Sequence, residues 1–161
     1  MRVQDIKAAT QEQMLQNLLD TLQSLRAGHF TARMTEGFPG LFGEIARVLN
    51  SHLESLGQFA REHHRLMEEV GVTGRLGGQM DVPGLGGEWQ HMLDDVNRLG
   101  GNVTNQFRDG ANVVRDLLNG QRAARMTAQS VQGEFASFRI DLNRLADEFA
   151  ARREATPVAP V

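Results

Sequence analysis

Apolar residues recur along most of this chain at steps of four, three and four, with polar residues filling the intervals. One such run reads Ile45, Leu49, His52, Leu56, Phe59, His63, Leu66 and Val70, with histidine at two of its positions. A second reads Met92, Val96, Leu99, Val103, Phe107, Gly110, Val114 and Leu117. Two shorter runs, Leu15, Leu18, Leu22, Leu25 and Phe138, Leu142, Leu145, Phe149, follow the same rhythm. This spacing is the a/d seam of a left-handed coiled coil, so four helices are predicted and no strands. Between them lie stretches such as TEGFPG (35–40) and GGQMDVPGLGG (77–87), whose glycine and proline cannot continue a helix. Within the second long run both steps around Val103 are four residues, a stutter that locally changes the supercoil.

The pattern repeats. Gly28, Gly74 and Gly120 stand 46 positions apart, and six residues after each comes a methionine: Met34, Met80 and Met126. Asn50, Asn97 and Asn143 keep the same interval to within one residue. Around each asparagine the seam recurs: Ile45, Leu49, His52, Leu56; then Met92, Val96, Leu99, Val103; then Phe138, Leu142, Leu145, Phe149. The chain is therefore a threefold repeat of helix, connector, helix. The modules are expected at 12–58, 59–104 and 105–150, with 151–161 a disordered tail or linker. A connector of a dozen residues can run back along the first helix, so the two helices of a module can be parallel. No linker separates the modules, since each long seam crosses a module boundary in register.

These residues resemble the HAMP domain of bacterial receptors, sensor kinases and chemoreceptors. The resemblance rests on LRAGHFTARMTEGFPGLFGEIARVLNSHLESL, VGVTGRLGGQMDVPGLGGEWQHMLDDVNRLGGNVTNQ and LLNGQRAARMTAQSVQGEFASFRIDLNRLADEF, and covers about 12–150. The middle copy is similar to those of soluble poly-HAMP arrays. The resemblance implies an all-α fold of tandem modules forming parallel four-helix coiled-coil bundles in a homodimer. It implies that each connector is held by two apolar plugs, by position Phe30 with Met34, Leu76 with Met80, and Arg122 with Met126. Arg122 departs from the apolar pattern. A glutamate at the start of the second helix is matched by Glu88 and Glu134, whereas the first copy has Leu41 there. It further implies a non-catalytic relay that passes a helix displacement to an output domain, as in two-component and chemoreceptor signalling.

Composition narrows the alternatives. The chain of 161 residues has no cysteine, which excludes disulfides, thiolate metal sites and a cysteine nucleophile. A formal charge of -3 and a spread of arginines among acids give no basic stripe for nucleic acid. No apolar stretch reaches the length of a membrane span, and the N-terminal residues carry no signal-peptide core, so a cytoplasmic location is expected. GGQMDVPGLGG lacks the GK[ST] ending of a phosphate loop. The segment REHHRLMEE has no phosphoacceptor motif of the histidine-kinase kind. His63 and His64 point about 100° apart on a helix and cannot clamp one metal. His64 and Glu68 are spaced as two ligands but have no third, so an ion pair is the simpler reading. No cofactor and no enzyme activity are expected. The expected partners are a second copy of the chain and unidentified sensor and output domains. Two other classes compete: a structural or adaptor coiled coil that binds a partner helix without switching, and a bundle that carries a ligand on His52 and His63. His52 stands where the other copies have Leu99 and Leu145, which would bring two imidazoles together at a dimer axis. Gly100-Gly101, inside the second long run, costs about 1 kcal/mol per glycine relative to alanine. It serves either close approach or bending, or signalling.

Overall fold

The computed structural model describes residues 3–127 and 132–154, and side chains from residue 10 to 152 within that range. Among the described residues four helices occur, in the order α1 (Val3–Arg26), α2 (Leu41–Gly71), α3 (Glu88–Leu118) and α4 (Gly133–Glu154). Among the described residues there is no strand, so the protein is all-α. None of these helices is long and apolar enough to cross a membrane. Residues 151–154 belong to α4, where the sequence suggested the beginning of a tail; 155–161 lie outside the described residues.

The long helices α2 and α3 each continue for 31 residues across the boundaries expected at 58/59 and 104/105. The contacts divide the chain into two compact units, Met1–Asp94 and Asp95–Val161.

The spaced glycines mark where the chain leaves its helices. Gly28, Gly74 and Gly120 all have positive φ, at 83°, 68° and 87°. A residue with a Cβ is strained there, so a left-handed residue after a helix end favours glycine. At Gly28 the turn closes with two bonds, Gly28 N–H to the Leu25 carbonyl and His29 N–H to that of Ser24, both 2.9 Å. Gly120 and Gln121 repeat them onto Leu117 and Asp116 at 3.0 and 2.8 Å. These bonds satisfy carbonyls that the helix end would leave orphaned.

In the first unit the connector meets α2 in reverse order. A Cβ built on Gly57 would lie 3.6 Å from the Cβ of Phe30. Further along, Met34 bonds Asn50, and Gly43 closes on Phe38. Thr35 bonds back to Asn17 in the middle of α1. The connector thus runs back along α1 and antiparallel to α2, which makes α1 and α2 parallel. The second connector retraces α2 in the same manner, with Gly78 beside Leu66 and the Gln79 carbonyl accepting from Arg65.

In the second unit the core is Val113 and Leu117 of α3, Met126 of the connector, and Leu142 and Ala146 of α4, with Ala124 and Phe149 packed against it. Gly110 is buried because the Phe138 ring lies over it; a Cβ there would come within 2.9 Å of that ring.

Candidate functional site in the connectors

The three methionines of the 46-residue register are all buried: Met34 is 1%, Met80 2% and Met126 3% exposed. Each lies in an irregular segment, where the backbone on either side must find hydrogen bonds outside regular structure. In the first and third connectors the asparagines of the register supply them. Asn50, buried in α2, accepts from Met34 N–H at 2.8 Å and donates to the Met34 carbonyl at 2.9 Å. Its amide also reaches a Glu36 carboxylate oxygen at 2.9 Å. Asn143 repeats the pair on Met126 at 2.8 and 3.3 Å. A carboxamide suits this job because it carries an acceptor and two donors on one short side chain.

The residue after each methionine is tied to the preceding helix. Thr35 N–H donates to Asn17 Oδ1 at 2.8 Å, and Thr127 N–H donates to Asp109 Oδ2 at 3.0 Å. In the second connector Asp81 N–H donates to the carboxylate of Glu62. Three different acceptors thus hold the same connector position.

An arginine completes each clamp. Arg33 spans the connector, donating to the carbonyls of Phe30 and Ala32 and pairing with Glu54 of α2. Arg125 does the same with the carbonyls of Arg122 and Ala124 and with Asp147 of α4. Glu54 is held below the ordinary carboxylate value by hydrogen bonds from Gln58 and then Arg33. In the second connector the cation comes from the helix. Arg65 pairs with Glu62 at 2.7 Å and Glu69 at 2.9 Å and donates to the Gln79 carbonyl at 2.6 Å. The hydrogen bond from Arg65 lowers the Glu62 pKa, with Arg65's charge and Asp81 N–H acting the same way against partial burial. The same two carboxylates raise that of Arg65.

The other positions singled out by sequence are placed as follows. Phe30 and Leu76 are half-buried, whereas Arg122 is exposed and Ala124 packs on the core near it. Glu88 and Glu134 fall in the first turns of α3 and α4, and Leu41 opens α2. The Gly40 carbonyl accepts from the Gly43 and Glu44 N–H groups, and the Gly87 carbonyl from those of Gln90 and His91, at 3.1–3.3 Å. Among the seam residues Leu56 and Leu142 are buried, while Ile45, Leu49, Val96, Val103 and Phe149 are half-buried. Met92, Leu99, Phe138 and Leu145 are exposed, and so is His52. His52 lies at the edge of Trp89, with ring centroids 6.5 Å apart, and Trp89 also meets Phe59 at 5.7 Å. His63 stacks on Phe59, its centroid 6.5 Å away.

The arrangement fixes irregular segments to the helices beside them and leaves Leu99, Phe107 and Leu145 exposed. Among the described residues no group of three or more His, Asp or Glu is placed to hold a metal ion. Compared with protein-family models and with solved structures, the chain matches none.

Proposed function

We propose that this protein is a non-catalytic signal relay of HAMP type, in which two parallel copies complete a series of four-helix bundles. One observation carries the reading. The chain closes its connectors tightly, yet leaves Leu99 63%, Phe107 65% and Leu145 56% exposed at seam positions. A seam this apolar is covered in a stable coiled coil, and a second copy presents a matching one. In the first unit Leu18 and Leu22 of α1 and Ile45 and Leu49 of α2 line an open apolar groove of about 480 Å³, which a second pair of helices would fill.

A relay also needs two packings of similar energy, so that a bias at one end shifts their populations. The seam supports this, because His52, Gly110 and Met92 interrupt its Leu, Val and Phe positions. The stimulus enters, on this reading, through helix α1 and leaves through α4 to an output domain.

Light scattering tests the pairing, with an expected mass of twice 17.8 kDa at micromolar concentration. Leu99→Glu places a charge on a surface that is already exposed in the single chain. It should leave helix content intact and shift the mass toward one chain. A dimer unaffected by Leu99→Glu, or a folded monomer in the parent, overturns the proposal. Spin labels at exposed Ser51 of both copies should give two distance populations; a single narrow one would identify a rigid adaptor instead.

A further inference from the structure

Arg47, Ser51 and Ser55 follow one another at steps of four along α2, forming a polar stripe beside the seam. With the 84–86 turn of the second connector, His52 and Trp89, they line a cavity of about 490 Å³. That volume falls in the range of small-molecule sites. Its lining contains no carboxylate, and Arg47 makes no ion pair with any described residue. Trp89 follows Glu88 in the first turn of α3, so the amino-terminal end of that helix borders the cavity. The indole is held in place by edge contacts with Phe59 and His52, at interplanar angles of 69° and 67°. Of the lining residues only His52 belongs to the seam, so the cavity lies at the seam's margin.

We propose that this cavity binds a small organic anion with a planar apolar body, in chemical class an aromatic carboxylate. The Arg47 guanidinium matches a carboxylate through two parallel N–H donors. The Ser51 hydroxyl donates to its oxygens, the Ser55 hydroxyl joins it by turning away from the Ser51 carbonyl that it bonds at 3.2 Å, and the indole of Trp89 covers the ring. Such a ligand ties the first half of α2 to the start of α3 and favours whichever packing keeps the two apart by its own width. The site is built within the first unit alone and does not rest on the pairing of chains. Its failure is therefore separable from that of the relay, which oligomeric mass reports.

Trp89 is the only tryptophan, so its emission reports directly on the cavity. Titration of the full chain with phenylacetate should change that emission saturably, with a Kd below about 10 mM. The neutral phenylacetamide and the ringless acetate should bind at least about tenfold more weakly, because each lacks one of the two recognised parts. Arg47→Gln should weaken phenylacetate by about tenfold or more while keeping the parent's helix content and melting temperature. Arg47→Lys should fall between, since it keeps the charge and loses the fork. A linear response, equal responses to phenylacetate and phenylacetamide, or undiminished binding by Arg47→Gln would each overturn the assignment.

Discussion

Asn50 grips the backbone of Met34 from both sides, accepting from its N–H at 2.8 Å and donating to its carbonyl at 2.9 Å. The two groups cannot be satisfied by a neighbouring strand, and the site is closed to water. Loss of the carboxamide leaves both unpaired at the cost of desolvation.

Asn50→Ala should therefore destabilise by about 2–4 kcal/mol, as the sum of two unsatisfied backbone groups and a small void. Asn143→Ala should cost less, about 1–2 kcal/mol, because its second bond is 3.3 Å long and the site is half-buried. Urea unfolding at one fixed protein concentration measures both. Equal costs, or none, would remove the clamp from the account.

Met80 provides a test of the connector core. At 2% exposure it has no route by which a carboxylate could reach water. Met80→Glu should cost about 2–4 kcal/mol, whereas Met67→Glu, on an exposed part of α2, should be near neutral. If Met80→Glu melts with the parent, the methionine register has no packing role.

Two helical glycines should respond in opposite directions to alanine. A Cβ on Gly43 would come within 2.1 Å of the Phe38 carbonyl oxygen, a backbone atom that cannot step aside cheaply. At Gly101 the same atom meets nothing within 4 Å. Gly101→Ala should stabilise by about 1 kcal/mol through helix propensity alone. Gly43→Ala should destabilise by about 1–3 kcal/mol, its steric cost exceeding the same propensity gain. Thermal melts followed by circular dichroism decide it. A destabilised Gly101→Ala would show that Gly101 serves a close approach made only in the assembled protein.

Glu62 sets a pH dependence. Its folded pKa lies below the reference value of 4.5 because its charged form is bonded by Arg65 and by Asp81 N–H. A depressed carboxylate contributes stability above its unfolded pKa and loses it as pH falls through the folded value. Parent and Glu62→Gln should therefore differ most in melting temperature near pH 7, with the parent higher. The gap should close as pH falls below about 4.5. A gap that widens on acidification contradicts the direction assigned to Glu62.

By itself the sequence determined the helices, because seam spacing at four and three reports directly on which residues share a helical face. It also determined where the helices stop: Gly28, Gly74 and Gly120 lie in the left-handed region that their type and spacing suit. The 46-residue register of methionines marked three positions that prove buried, since only packing keeps a flexible apolar side chain at one place in irregular backbone. The tertiary structure alone decided how each connector is tied. Arg33 and Arg125 span their own connectors, while Arg65 reaches the middle one from α2, and no periodicity distinguishes these arginines from solvated ones. The acceptors Asn17, Glu62 and Asp109 differ in type, so they leave no motif. Trp89 against Phe59 and His52 was equally invisible, because it depends on the path of sixteen intervening residues that carry no helical phase. Local periodicity is written in the chain; the side chains that bond an irregular backbone are chosen by where that backbone passes.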